Sequence, residues 1–203
     1  MIDTPKSLGN PRHRMERLLK LHEPHVEVLT AFVERIRSER QCGDTVPYFD
    51  PEDGGVEAEI LYVLEAPGPM AIQSGFISRN NPDESAKNWL EMNSLAGVPR
   101  KRTVIFNIVP WYIGLGGKIR SAGSADIEQG WPYLVQLLGI LPQLRIVVLV
   151  GVKAQRVAMW IRAVRPELRI MECLHPSPMF VNRKPQNRDV LLAALRNVTA
   201  ALT

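Results

Sequence analysis

Glu59-Ile60-Leu61-Tyr62-Val63-Leu64-Glu65-Ala66-Pro67-Gly68 is the stretch that decides the fold of this chain. Glu59 to Leu64 is a near-continuous apolar run with the composition of a strand buried on both faces, as in a parallel sheet. The turn-forming Pro67-Gly68 stops it. Two further apolar runs end in polar segments of the same kind. Thr103 to Ile108 runs into Phe106-Asn107-Ile108-Val109-Pro110, and Leu168 to Cys173 runs into Leu174-His175-Pro176-Ser177-Pro178-Met179. Arg145 to Val150, before Gly151, is another strand and the most apolar of the four. Ligands of an open parallel sheet bind beyond the carboxyl ends of its strands, so three polar strand ends define one candidate site.

Working outward, helices fall between these strands. Pro24 opens a stretch in which Val26, Leu29, Val33 and Ile36 recur at helical spacing, followed by a Pro/Asp/Gly-rich connector from Val46 to Gly55. Asn81-Pro82-Asp83-Glu84 reads as a helix start, with Asn81 as cap, Pro82 in the first turn and Glu84 at the capping-box position, and the helix runs to about Asn93. A glycine-rich loop, Gly114 to Gly123, precedes a helix from Ala125 to Leu138. Further helices are expected over Lys153 to Val164 and over Asn187 to Leu202, the latter with Leu191, Leu195, Val198 and Leu202 inward. The alternation predicts a three-layer α/β/α domain with a central, mostly parallel four-stranded sheet. One domain over residues 1–203, with an N-terminal helical segment at about 12–40, accounts for the length.

Composition excludes several classes. With only Cys42 and Cys173, neither a disulfide framework nor a four-cysteine metal or iron-sulfur site can be built from this chain alone. No apolar run approaches the roughly 20 residues that cross a bilayer, and Asp3-Thr4-Pro5-Lys6 is unlike the apolar core of a signal peptide, so a cytoplasmic protein is expected. The net charge of +4 is modest, but basic residues cluster at Arg12, Arg14, Arg17 and Lys20, at Arg100, Lys101 and Arg102, and at Arg183, Lys184 and Arg188. The first two clusters read equally well as solvated faces or as phosphate contacts. The third adjoins the His175 segment and favours phosphate.

Leu64-Glu65-Ala66-Pro67-Gly68 resembles the first motif of the uracil-DNA glycosylase superfamily, in particular its E-A-P-G branches. His175-Pro176-Ser177-Pro178 resembles the second motif, and Asn107 fits the strand-end asparagine between them. The resemblance spans roughly Glu59 to Lys184 with the motifs in order. It implies an enzyme that flips uracil out of DNA and hydrolyses its N-glycosidic bond, starting base excision repair. A monomer acting on uracil-containing DNA without metal or organic cofactor is expected. The iron-sulfur cysteines of the E-A-P-G branch are absent, so the chain resembles a cluster-free relative.

The residue types suit that chemistry. Breaking the bond leaves negative charge on the base and positive charge on the sugar. A neutral histidine can donate to a carbonyl oxygen gaining charge, and the resemblance assigns His175 to uracil O2. Asn107 can pair with the N3-H and O4 edge of uracil, or it caps the loop Ile108 to Trp111. Phe76 stands about where the family has a base-stacking aromatic, and a core phenylalanine is the other reading. Ala66 occupies the position of the family's water-activating aspartate. Glu65 is then the candidate to orient water or stabilise the sugar cation, or it is structural. Gly68 stands where a tyrosine excludes the thymine methyl, so that selectivity must arise elsewhere. Met179 or Phe180 matches the apolar wedge that replaces an extruded nucleotide, Ser177 and Pro178 sit where the DNA backbone is gripped, and Arg183 and Lys184 can meet phosphates. Trp111 and Tyr112 either line the pocket or pack beneath the glycine-rich loop, with packing the preferred reading. The alternative is a non-catalytic or damage-sensing DNA-binding member of the same fold. A hydrolase using Ser177 and His175 fits poorly, because residues two apart on a proline-flanked turn do not form a nucleophile-base pair.

Overall fold

The computed structural model describes residues 3–114 and 120–202, so the middle of the loop expected between Gly114 and Gly123 lies outside the described residues. Among these are six strands: β1 (Tyr48–Phe49), β2 (Ile60–Leu64), β3 (Phe76–Ile77), β4 (Thr103–Asn107), β5 (Ile146–Val150) and β6 (Arg169–Cys173). The helices are α1 (Pro11–Leu18), α2 (Pro24–Arg40), α3 (Pro69–Ser74), α4 (Glu84–Leu95), α5 (Ser124–Ile140), α6 (Val152–Gln155), α7 (Ala158–Val164), α8 (Pro178–Val181) and α9 (Pro185–Ala200). None of the described helices is long and apolar enough to cross a membrane.

The four long strands form one all-parallel sheet in the order β4-β2-β5-β6. The order reverses at β2, the first sheet strand in sequence, where connections leave in opposite directions. That is the geometry that opens a crevice at the strand ends. Side chains alternate across the sheet. Leu61 and Val63 join a core with residues of α2, α5 and α7, while Ile60 and Tyr62 join another with residues of α4 and α9. Fully burying each such aliphatic side chain contributes about 1.5–3 kcal/mol, which is why β2, β4 and β5 carry so little polar sequence, whereas the edge strand β6 keeps Arg169 and Glu172 exposed.

Two helix boundaries differ from expectation. Asp83, not Asn81, caps α4, accepting from the Ala86 amide at 2.8 Å. Asn81 is occupied elsewhere: its carbonyl oxygen accepts from Ser74 Oγ at 2.6 Å and its amide donates to the Phe76 carbonyl. The helix expected over 153–164 is broken into α6 and α7, because Arg156 and Val157 close tight three-residue turns onto Lys153 and Ala154.

Most of the first two basic clusters is spent inside the fold. Asp50 is fully buried and accepts from Arg17, Arg100 and Ser78. Arg100 also reaches Asp53 at 2.8 Å, Lys101 donates to the Pro51 carbonyl at 3.2 Å, and Arg102 pairs with Glu59. Burial would push the Asp50 carboxyl up, but Arg100 and then Arg17, with hydrogen bonds from Ser78 and the Glu52 amide, hold it at about 2. Asp53 moves the other way, since its burial outweighs the pull of Arg79 and Arg100.

Asp50→Ala leaves two buried guanidinium groups short of a partner and is expected to cost about 3–5 kcal/mol in urea unfolding. Because the native pKa of Asp50 is depressed, its contribution is present above about pH 4 and lost as pH falls toward 2, a change of roughly 2 kcal/mol. The wild type should therefore lose more stability than Asp50→Ala across that window.

Candidate functional site

The ends of β2 and β4 are zipped together beyond the strands themselves. Leu64 and Asn107 are register partners, the Ile108 amide donates to the Leu64 carbonyl at 2.8 Å, and the Val109 amide donates to the Glu65 carbonyl at 3.0 Å. On the other side of β2, the Gly151 amide at the end of β5 donates to the Cys173 carbonyl at the end of β6, at 2.9 Å. Gly151 has φ +83°, and a Cβ there would lie 3.3 Å from the Cβ of His175, so a glycine lets the His175 turn fold back against the sheet.

These strand ends surround a cavity of about 490 Å³. Glu65, Ala66, Gly68, Asn107, His175 and Pro176 all line it, so the three polar segments do converge. Ile105 and Asn107 lie two residues apart on β4 and both reach it, which puts the cavity on the sheet face that α4 and α9 cover. The remaining walls come from Met70 and Ile77 on either side of the turn after α3, from Ser78, Arg79 and Asn81, from the first turns of α4 through Asp83, Ser85, Ala86 and Trp89, and from Arg120 and Ser121.

Phe76 is not among them. It is fully buried against Leu8 and Leu21, with its ring 6.3 Å from that of Tyr48. Ile77, the next residue of β3, lines the cavity in its place, since neighbouring residues of a strand point to opposite sides. Met70, Ile77 and Trp89 supply the apolar surface that Phe76 was expected to provide. Trp111 packs in the core against Tyr133 and under the Arg40 guanidinium, in keeping with its reading as a packing residue. Tyr112 does not line the cavity either, and its amide donates to the Thr45 carbonyl.

The two polar groups at the centre have no internal partner among the described residues. Asn107 is 2% exposed, yet no described group hydrogen-bonds to its side-chain amide or to the His175 imidazole. Both side chains open onto the cavity, so their hydrogen-bonding capacity is available to whatever occupies it. The turn that carries His175 is held from α4, where the buried Asn88 amide donates to the Pro176 carbonyl at 3.0 Å. Burial pushes the imidazole below its ordinary pKa, opposed by the negative charge of Glu65 and then Asp83, so the ring is neutral at pH 7 and can donate from one nitrogen.

Glu65 is clamped. Its Oε1 accepts from Ser121 Oγ at 2.8 Å and from the Ala122 amide at 2.6 Å, and Lys153 Nζ holds the Ala122 carbonyl at 2.7 Å. A Cβ on Gly68 would meet no atom within 4 Å, so the cavity is open at that edge. Beside the cavity, Ser177 and Pro178 begin α8, Met179 is 87% exposed, and Phe180 packs partly against the core. Arg183 and Lys184 are exposed and, among the described residues, unpaired, whereas Arg188 pairs with Glu91. Reading the sequence missed Arg79, Asp83, Ser85, Trp89 and Ser121. The signal for the Asp83 group was the helix start itself, lying between two strand ends. Among the described residues no cluster of three or more His, Cys, Asp and Glu side chains could hold a metal ion.

A family model for the uracil DNA glycosylase superfamily matches residues 51–198. No curated protein matches the chain. Among solved structures, SMUG2 of Pedobacter heparinus is similar over 87% of this chain and 84% of its own, with 16% identity and a TM-score of 0.54. A tyrosine-to-glycine mutant of UNG from Nitratifractor salsuginis matches over 92% of this chain and 98% of its own, with 13% identity and a TM-score of 0.47.

The lowered pKa of His175 can be read by NMR. Its ring carbon protons should titrate with a midpoint below the ordinary 6.5, and Glu65→Gln, which removes a charge favouring the protonated ring, should lower the midpoint further.

Proposed function

The chain belongs to the uracil DNA glycosylase superfamily, and on that footing we propose that it extrudes uracil from DNA and hydrolyses its N-glycosidic bond. The observation that carries this reading is a pair of polar groups, Asn107 and His175, that share one cavity at the parallel strand ends and have no side-chain partner among the described residues. The Asn107 amide matches the N3-H and O4 edge of uracil, and the neutral His175 ring donates to O2. As the bond between C1′ and the base nitrogen breaks, its electron pair leaves with the base and negative charge grows on O2, where the His175 donor is already in position. Water then adds to C1′ and gives its proton to a carboxylate, for which Glu65 Oε2, unengaged among the described residues, is the candidate in this motif.

Ala66 and Gly68 give this wall no side chain beyond a methyl, so the base can approach the backbone closely. Outside the cavity, Met179 is the wedge that fills the stack from which the nucleotide is drawn, with Phe180 bracing it from the core. Arg183 and Lys184 meet phosphates, and Ser177 with Pro178 grips the backbone beside the extruded nucleotide.

The test is incubation of excess protein with oligonucleotides carrying single uracil, hypoxanthine, xanthine or a thymine mismatch, followed by alkali. Strand breaks are expected at uracil, and His175→Ala should slow release by about 10²–10³-fold. Intact uracil strands at enzyme excess overturn the reading, and tight salt-sensitive binding without release would instead identify a DNA-binding member of the family.

A further inference from the structure

The charges on the cavity wall are unevenly paired. Two cations line it, and each is committed to a carboxylate outside the lining. Arg120 forms a double hydrogen bond with Asp126 at 2.6 and 2.7 Å, and Arg79 approaches Asp53 at 3.6 Å while donating to Thr103 Oγ1 at 2.7 Å. Two carboxylates line it as well, Glu65 and Asp83, and among the described residues no cation pairs with either. Among the described residues the lining thus carries two carboxylates with no cation paired to them. For an enzyme approaching a polyanion, that arrangement costs binding unless positive charge develops inside.

The two acids are not equivalent. Glu65 Oε1 is taken by two donors from the Ser121-Ala122 segment. Asp83 gives one oxygen to a single donor, the Ala86 amide, and among the described residues its other oxygen is unengaged. Asp83 sits at the first turn of α4, on the same wall as Ser85 and Ala86, and α4 also holds the His175 turn through Asn88. The unpartnered Asn107 amide opens into the same space, so what enters is held against this wall.

We propose that Asp83 is a second catalytic carboxylate, placed to stabilise the positive charge that develops on the C1′ and ring oxygen of the deoxyribose as the base departs. This rests on the glycosidic chemistry above. It explains how a chain with Ala66 at the usual acid's position retains charge for the sugar. The helix cap holds the carboxylate still, so its field acts on the cation without reorganisation.

The test avoids turnover. Oligonucleotides carrying a pyrrolidine ring, cationic at the sugar, and a neutral tetrahydrofuran ring are titrated into the wild type, Asp83→Asn and Glu65→Gln. Asn caps helices as well as Asp does, so Asp83→Asn should keep the wild-type Tm, and Asp83→Ser, also a capping residue, is the second variant. The wild type should bind the cationic ring at least tenfold more tightly than the neutral one. Both Asp83 variants should lose about tenfold of that preference, read as the ratio of the two affinities so that any change common to both strands cancels. A preference that survives in both Asp83 variants, or that disappears in Glu65→Gln alone, overturns the assignment, as does its absence from the wild type. Uracil release without an Asp83-dependent preference sinks only this inference. An Asp83-dependent preference without uracil release sinks only the uracil reading.

Discussion

The buried carboxylate of Asp50, gripped by Arg17 from α1 and Arg100 from the turn before β4, ties together parts of the chain that share no sheet hydrogen bonds. Through Ser78 it also anchors the segment that runs from β3 into the wall of the cavity. The Arg79-Asn80-Asn81 stretch is buried, and Asn80 accepts from Arg100 at 2.7 Å. The start of α4, with Asp83 and Ser85, therefore hangs from a charge cluster on one side and from the sheet on the other. Such a cluster is weak evidence for net stability, since desolvation offsets much of its attraction. Its value here is geometric: it permits only one arrangement of the segment that carries the cavity wall.

Beside that charge cluster, the site differs in what its polar groups lack. Asp50 has a partner for every approach, whereas Asn107 and His175, on adjacent walls of one cavity, have none among the described residues. Burial has also been used selectively. It keeps the His175 ring neutral, as a hydrogen-bond donor to a developing anion should be, while Glu65 and Asp83 leave the opposite sign of charge for a developing cation. One cavity thus presents complementary groups to both fragments of a polarised bond.

Much of this architecture was legible in the residues. The sheet strands declare themselves because a strand covered on both faces has no room for alternation, and β2, β4 and β5 fall within a residue of the apolar runs. The strand-end segments could be recognised for the same reason, since polar residues that follow an uninterrupted apolar run need an explanation. What stayed hidden depended on distance and parity. The partners of Arg17 and Arg100 lie 33 and as many as 97 residues away, so clusters that read equally as solvated faces or phosphate contacts have these arginines consumed internally. Phe76 and Ile77 differ by one position, and only the pairing of β3 with β1 decides which of the two faces the cavity. Asn81 looked like a helix cap because its side chain suits one, but Ser74 and the Phe76 carbonyl take it first.

One contact lies outside the cavity lining and still bears on it. Gly130, in the middle of α5, presses its backbone against the turn that follows Asn107, and a Cβ there would fall 1.8 Å from the Ile108 carbonyl oxygen. The helix backbone is a template against which the asparagine's loop is cast. A single methyl group at position 130, on the far side of the sheet from any bound base, would displace that loop and with it the amide. Variation at this glycine would thus act on the geometry of the cavity, though the residue itself does not line it.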